Sequence, residues 1–317
     1  MANTFTKSAA FGKALDMRLA IKSEAEILRD DFMVSEFRGN GKVTLTDATI
    51  TGLGNYSSSA GYPVGAVTLT QTDYTLAMDR AHKFNVNRFD AEKTGVDNLM
   101  KQLGVIFVDE QVAPEIDAYV FSKTYSVAKS MTGQVIEKTD EDAIANNSYK
   151  LLNQLFTNCW SVVGFETELV AFVDFKVFTD LMNTTEITRR LQVENFKRGE
   201  MDTKVNVING VKIIPVPDAR MKTTYDFNSG ETTFGFAKKS SAINIGALVL
   251  PRKRSVQLVK EQCYTKYFAP QDDQNGDNHQ TLYHLHYDGL VRKSRKNTIF
   301  ALTYGNKTTT PSNQSGT

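Results

Sequence analysis

The stretch TGLGNYSSSAGYPVGAVTLT, residues 51–70, holds four glycines, one proline and three consecutive serines. These residue types favour turns, so the segment 52–65 predicts a loop rather than a core strand. The runs on either side alternate apolar and polar residues as β-strands do, with Val43 and Leu45 before the loop and Val67 and Leu69 after it. The sequence therefore predicts a long two-stranded ribbon over residues 43–88 that is closed by a polar tip.

The apolar residues of each predicted strand change face once. On the first strand Val43 and Leu45 share one face, whereas Ala48 and Ile50 occupy the other. This change predicts a β-bulge or a strong twist, with opposite faces buried in the two halves. An isolated hairpin is marginal in water, and one domain does not cover both faces, so we expect a second copy of the chain to cover it. The expected contacts between copies are Tyr56, Tyr62, Val67, Leu69, Tyr74 and Leu76.

The composition is that of an ordinary globular protein. Of the 317 residues, 41% are apolar and 23% are charged, and the net charge is +1. Such a balance gives no support for a dedicated nucleic-acid or membrane-surface binder. The N-terminus lacks the apolar run of a signal peptide, and no segment approaches the ~18 apolar residues of a membrane span. Cys159 and Cys263 have no C-x-x-C spacing and predict two reduced thiols, with a bridge between them as the alternative.

Other segments predict further elements. Residues 1–42 carry a light helical pattern that breaks near Gly39 and Gly41, which we expect to act as hinges. Because these residues are too lightly apolar to form a core, we expect them, like the ribbon, to be an arm that lies across a neighbouring copy. A helical period runs from about residue 91 to 130, and Pro114 predicts a bend or hinge there. Helices are predicted from Thr139 or Asp140 to residue 157 and over residues 186–193. Two β-branched runs joined by Asn209-Gly210 predict a type I′ hairpin.

The sequence contains no motif of a known catalytic site. It lacks a P-loop, a G-x-G-x-x-G that opens a helix and a G-x-S-x-G elbow, so we predict no catalytic residue and no cofactor. His284 and His286 share one face of a predicted strand and His279 precedes them, which makes these three the candidates for a metal site. The competing interpretation is that they are polar residues on a wet face.

Charged residues form two further groups. The basic runs at 252–254 and 292–296 are interpreted as solvated faces or weak contacts to phosphate. On the predicted long helix, the acidic residues suggest an acid/base pair or simply a wet helix face. They are Asp109, Glu110, Glu115 and Asp117.

Four stretches together resemble the major capsid proteins of tailed bacteriophages with the Hong Kong 97 fold, in the branch common in phages of Gram-positive hosts. They are GLGNYSSSAGYPVGAVTLTQTDYTLAMDRAHKFNVNRFDAEKTG (52–95), VAPEIDAYVFSK (112–123), NGVKIIPVP (209–217) and YHLHYDGLVRKSRKNTIFAL (283–302). The resemblance covers roughly residues 42–304 and depends on the combination of stretches.

This resemblance implies an α+β chain divided into six parts. They are an N-terminal arm (1–42), an extended β-hairpin loop (43–90), a long spine helix with the peripheral domain (91–134), an axial domain (135–245), a return to the peripheral domain with the final strands (246–304) and a mobile tail (305–317). Such subunits form hexamers and pentamers that close an icosahedral shell around double-stranded DNA.

The resemblance also implies partners and a place of action. We expect other copies of the chain, a separate scaffolding protein, a portal and non-specific proximity to DNA, but no membrane; the protein is then a virion component assembled in the host cytoplasm. Some relatives crosslink through a lysine on the extended loop, and no lysine stands between Lys42 and Lys83. Two alternatives stay open: an encapsulin-type nanocompartment shell, and an enzyme built on a histidine metal site.

Overall fold

The computed structural model describes residues 13–29, 34–37, 41–59, 61–89, 93, 96–139, 144, 147–183, 192–198, 201–253, 255–272 and 276–305. Helices are α1 (residues 13–22), α2 (Val96–Phe107), α3 (Ala113–Lys129), α4 (Ser148–Val163) and α5 (Phe175–Asn183). Strands are β1 (Val34–Phe37), β2 (Lys42–Ile50), β3 (Val67–Thr75), β4 (Met78–Asn87), β5 (Val135–Glu137), β6 (Leu169–Asp174), β7 (Gln192–Arg198), β8 (Met201–Ile208), β9 (Val211–Val216), β10 (Tyr225–Phe227), β11 (Phe236–Lys238), β12 (Asn244–Pro251), β13 (Val256–Phe268), β14 (Asn278–Val291) and β15 (Phe300–Tyr304).

A mixed seven-stranded sheet, in the order β5-β15-β12-β6-β9-β8-β7, forms the centre of the molecule. Every residue of β6 is buried, and alternate side chains belong to different cores. Val170 and Phe172 pack in the cluster that contains α3, whereas Ala171 and Val173 pack in the cluster that contains α4 and α5. Because both faces of the sheet are covered, its central strands are continuous apolar runs rather than alternating ones.

The spine helix, defined here as the helical run from Val96 to Lys129, changes its winding part-way. α2 ends at Phe107, a π-helical turn spans Val108–Val112, and α3 begins at Ala113. Pro114 lies in the first turn of α3, where a proline lacks the N–H that an α-helix would use and crowds the carbonyl one turn back. The irregularity near Pro114 therefore takes the form of a π-helical insertion just before it, and the hinge at Pro114 stays a prediction.

A second, antiparallel sheet of order β13-β14-β4 covers the other side of the spine helix. Tyr283, Leu285 and Tyr287 of β14 are buried in the same cluster as Ile116 and Val120 of α3. The second strand of the predicted ribbon is split between two sheets, because β3 ends at Thr75 and β4 begins at Met78 on the edge of this sheet. β13 lies outside the strands that the sequence predicts.

The N-terminal segment packs on its own chain, in contrast to the expectation of an arm that lies across a neighbour. Leu15, Leu19 and Leu28 are buried in one cluster with Ile116 and Phe121 of the spine helix. The few apolar residues of this segment share one face, so the spine helix supplies the core that the segment lacks by itself. This holds for residues 13–28, the larger described part of the predicted arm 1–42.

The structure contains the predicted hairpin but begins one predicted helix later. Asn209 and Gly210 have φ values of 52° and 80°, as a type I′ turn requires, so the predicted hairpin is confirmed. Helix α4 begins at Ser148 rather than at Thr139, and Asp140 lies outside the described residues. Of the helix predicted at 186–193, residues 186–191 also lie outside them, and Gln192 opens β7.

The predicted domain boundaries differ from the sheet arrangement. The boundary at residue 245 falls inside β12, and both β12 and β15 belong to the seven-stranded sheet that also contains β6 and β9. The predicted axial domain and the predicted return to the peripheral domain therefore share one sheet, since β15 of the return pairs with β5 of the axial domain. Within the described segments, no helix combines the length and the apolar character that crossing a bilayer requires.

Candidate functional site

The ribbon, defined from here on as β2, β3 and the tip between them, is a regular antiparallel hairpin. Its register runs without a shift from Lys42↔Thr75 to Ile50↔Val67. The bulge that the change of face predicted is absent between these two strands. On the return strand the change of face lies within β3, between Leu69 on the exposed distal half and Tyr74 at the base.

The base of the ribbon is anchored in its own subunit. It contributes to a small buried cluster with β13 and β14, with Tyr74 packed partly buried against it; the buried members are Val43, Leu45, Leu76, Val259 and Leu290. Leu76, predicted to contact another copy, is therefore a core residue of its own chain, and Tyr74 supports the same cluster. The alternation on β3 gave no sign that β13 and β14 approach this end of the ribbon.

The distal half of the ribbon is exposed, and its large apolar residues share one face. Val67 and Leu69 expose 63% and 69% of their surface, and Ile50, the register partner of Val67, exposes 74%. Large apolar side chains of this kind are normally scattered singly over a monomer, so a continuous set on one element indicates an interaction surface.

The tip is a closed turn that carries more apolar surface. Ser57 and Gly61 exchange backbone hydrogen bonds, with N···O distances of 3.3 Å and 2.7 Å, and Gly61 has a φ of 79° that favours glycine. The rings of Tyr56 and Tyr62 lie 5.3 Å apart, and both residues are exposed. Further exposed apolar residues of the tip are Leu53 and Val64.

The hinge candidates occupy different surroundings. Gly41 has a φ of 67°, and its carbonyl accepts a hydrogen bond from the Leu76 N–H at 2.8 Å. A Cβ at this position would lie 2.6 Å from Nδ1 of His286, so both the backbone angle and the space require glycine. Gly39 lies outside the described residues.

The histidines that were predicted as one metal candidate group separate into two places. His279 is buried, and its Nδ1 lies 2.5 Å from the hydroxyl of Tyr267. His284 and His286 instead meet Asp79 of β4, and the three are the group of potential metal ligands that converges in the described part of the chain. Asp79 was missed because it is 205 residues from His284 and only the β4–β14 register brings it close.

Asp109, Glu115 and Asp117 of the spine helix form structural ion pairs rather than an acid/base pair. Asp109 binds Arg18 through both oxygens, and this guanidinium holds the pKa of Asp109 below its usual value. Glu115 accepts hydrogen bonds from Arg80 Nε at 2.6 Å and from the Tyr287 hydroxyl at 3.0 Å. Each carboxylate is thus committed to a partner in the fold.

Asp117 is the most enclosed of these acids. It accepts hydrogen bonds from Ser23 Oγ at 2.6 Å, from the Ala25 N–H at 2.9 Å and from Arg220 Nη1 at 2.9 Å. The carboxylate is fully buried, so it depends on these donors for the solvation that water does not provide.

Residues of the two basic runs meet at one cavity. Arg252, Lys253 and Arg295 line a cavity of 300 Å³, and Arg254 lies outside the described residues. Arg252 also pairs with Glu168 at 3.3 Å, so part of the positive charge is neutralised within the chain.

Cys159 is a buried free thiol rather than half of a disulfide with Cys263. Its Sγ lies 3.3 Å from the Thr298 carbonyl, and burial raises the pKa of the thiol to about 12. A thiol in this state is a poor nucleophile.

The fold of the chain is similar to that of solved structures of two phage capsids and a virus-like particle. A chain of the mature capsid of bacteriophage PhiM1 is 13% identical and covers 87% of this chain and 89% of that chain, with a TM-score of 0.55. A chain of the capsid of cyanophage P-SCSP1u is 12% identical, covers 85% of each chain and has a TM-score of 0.55. The virus-like particle from Pyrococcus furiosus is 12% identical and covers 93% of this chain and 99% of that chain, with a TM-score of 0.51.

The chain has a Hong Kong 97-like fold. The α+β prediction and the family resemblance of the four stretches are confirmed at the level of this fold. No protein-family model matches the sequence. No curated protein matches it either. The Hong Kong 97-like fold is therefore recognised here from the backbone, at identities too low to transfer individual residues.

Proposed function

We propose that this chain is the major capsid protein of a tailed bacteriophage. Its copies form hexamers and pentamers, which close an icosahedral head shell around the double-stranded DNA genome. The Hong Kong 97-like fold, matched in capsid structures over 85% to 93% of the chain, supports this proposal. The observation that carries it is the distal ribbon, where Ile50, Val67 and Leu69 form an exposed apolar row on one face.

The exposed ribbon suits assembly from many modest contacts. An exposed apolar face of this kind is buried when it lies against a neighbouring subunit, and burial is favourable by roughly 25 cal/mol per Å² of apolar surface. Each contact is weak alone, and closure of a symmetric shell makes the set strong. In this proposal Tyr56, Tyr62, Val67 and Leu69 are contacts between copies, and the segment around Gly39 and Gly41 adjusts the ribbon between five-fold and six-fold settings.

The proposal includes a role and partners. The chain acts as a structural protein and not as an enzyme, and it is a component of the virion that assembles in the host cytoplasm. A separate scaffolding protein and a portal take part, and packaged DNA lies near the shell. No lysine stands between Lys42 and Lys83, so the contacts of the ribbon are non-covalent.

Electron microscopy of the purified protein tests the proposal. We expect closed particles from the wild-type chain and unassembled subunits from the double variant Leu53→Asp/Val64→Asp, because two charges then enter an apolar contact. Both side chains are fully exposed in the subunit, so its fold should be unaffected. Ser58→Asp places a charge on the same tip without removing apolar surface and serves as the matched control.

The control variant should form particles. A monodisperse wild-type monomer at high concentration contradicts the shell, and normal particles from the double variant contradict the role of the ribbon.

A protein-filled nanocompartment is the second candidate, favoured by the match to the Pyrococcus furiosus virus-like particle. The contents of particles purified from their natural source separate the two: a phage head holds double-stranded DNA, whereas a nanocompartment holds a cargo protein. Mass spectrometry and nuclease-resistant DNA measure these directly.

A further inference from the structure

We propose that Asp79, His284 and His286 form a binding site for a divalent transition-metal ion of the Zn²⁺ type at the base of the ribbon. This proposal does not depend on the proposed shell function, because it concerns groups within one chain.

The β4–β14 register builds the cluster. His284 and His286 are separated by one residue on β14 and so share a face of the sheet, and Asp79 of β4 is the register partner of His286. The residue opposite His284 is the small Ala81, which leaves room for the imidazole rings. The Nε2 atoms of both histidines lie close to one oxygen, Oδ1 of Asp79, at 2.6 Å from His284 and 2.9 Å from His286.

The chemistry of the three ligands fits Zn²⁺. Imidazole nitrogen and carboxylate oxygen bind this ion at about 2.0–2.2 Å, which places neighbouring ligands of a tetrahedral site roughly 3.3 Å apart. The observed 2.6 Å and 2.9 Å require an opening of only about half an ångström. Three protein ligands leave a fourth position open for water or for a group from another molecule.

The surroundings hold the ligands in place. The ring of His286 lies against Gly41, where even a Cβ would be only 2.6 Å from Nδ1, and this contact keeps Nε2 directed at Asp79. Glu261 of β13 is the other register partner of His286 and adds negative charge to the same region. Asp79 is 62% exposed in its side chain, so an ion reaches the cluster from solvent.

A bound ion would join three parts of the chain. His284 and His286 belong to β14, Asp79 belongs to β4, and the ring of His286 contacts Gly41 at the start of the ribbon. The ion would therefore fix the base of the ribbon relative to the sheet on which it stands.

Calorimetric titration of EDTA-treated full-length protein with ZnCl₂ tests the site, and Co²⁺ absorption reports the ligand type. We expect one ion per chain in the wild type. The affinity should fall by about tenfold or more in His284→Asn/His286→Asn, since both nitrogen ligands are lost. His82→Asn is the matched control: it removes a histidine of β4 that packs against Phe107 on the other face, and it should bind normally.

Two further variants make the result decisive. Asp79→Asn changes an exposed side chain and should weaken binding even if the double histidine variant proves unstable by circular dichroism. Titration of the assembly-deficient Leu53→Asp/Val64→Asp subunit separates metal binding from shell formation. The absence of zinc binding in the wild type, or equal affinity in the wild type and Asp79→Asn, overturns the site and leaves the shell proposal untouched.

Discussion

Asp117 joins three separate segments of the chain at one buried carboxylate. The donors come from the N-terminal segment at Ser23 and Ala25 and from Arg220 in the short helix Asp218–Arg220. Since an ionised group without donors is very unfavourable in the interior, these segments must stay together for the carboxylate to remain solvated. A single residue thus ties the N-terminal segment to the spine helix.

We predict that Asp117→Asn lowers the free energy of unfolding by about 3 kcal/mol, because it leaves Arg220 without its charged partner and adds a donor where donors already converge. Urea denaturation of the assembly-deficient subunit measures this value without interference from particles. Asp109→Asn is the control on the same helix. Its pair with Arg18 is partly exposed, so the cost should be about 0.5–1 kcal/mol. Equal costs for the two variants contradict the special role of Asp117.

Individual residues also show what could and could not be predicted from the sequence. His284 and His286 could be placed on one strand face because their spacing is local. Asp79 could not be assigned to them, since its proximity depends on a strand register between distant parts of the chain. The same applies to Asp117 and Arg220, where the residue types suggested charge but not the partner.

Among the elements, the ribbon divides into a base that belongs to its own subunit and a distal half that does not. The base shares a buried cluster with β13 and β14, whereas Ile50, Val67 and Leu69 have no such cover. The division lets one hairpin be firmly attached to one subunit while it presents apolar surface to another.

We predict that replacing residues 52–65 by Asn-Gly yields a folded subunit that assembles poorly. The Thr51 N–H already bonds the Ala66 carbonyl at 3.0 Å, so these two residues can flank a two-residue type I′ turn. Circular dichroism should be near that of the wild type and particle yield should fall several-fold. A full-length variant keeps the length of the ribbon but changes Leu53, Tyr56, Tyr62 and Val64 to serine. It shows whether assembly depends on the length of the tip or on its apolar side chains. Normal particles from both contradict a role for the tip.

Elements were predictable where the signal was local. The Asn209-Gly210 hairpin and the irregularity of the spine helix near Pro114 each follow from a few adjacent residues. The N-terminal segment was misplaced because its apolar residues Leu15, Leu19 and Leu28 are too few to form a core alone. Whether a face is covered by the same chain or by another copy depends on tertiary contacts that periodicity does not encode.

For the whole molecule, the driving force of assembly follows from charge and exposed surface together. The net charge is only +1, so mutual repulsion of copies is small, and the exposed ribbon is apolar. Apolar association is strengthened by sulfate and weakened by cooling, whereas attraction between charges is screened by salt of any kind.

We therefore predict that ammonium sulfate lowers the concentration needed for particle formation several-fold and that cooling raises it. In about 1 M NaCl, where the Debye length is roughly 3 Å, assembly should persist. Light scattering across a concentration series measures these thresholds. Dissociation of particles in NaCl, with no response to sulfate, contradicts an apolar driving force.

The α+β class could be predicted from the sequence through the family resemblance that the four stretches carry together. It could not be predicted that the two predicted domains share one seven-stranded sheet. β12 and β15 return to this sheet from the C-terminal part of the chain. The order of strands in a sheet is a property of the complete chain, and a division by sequence segments cuts through it.

The short passage from β3 to β4 has a mechanical consequence. The strand that leaves the tip ends at Thr75 and resumes at Met78, where it is hydrogen-bonded to β14 along its whole length, from Met78↔Tyr287 to Asn87↔Asn278. Tension along the hairpin therefore acts in shear on all the backbone hydrogen bonds between β4 and β14 together. These bonds share the load and do not break one after another. A force applied at the tip of the ribbon is therefore resisted by the sheet β13-β14-β4 as a whole.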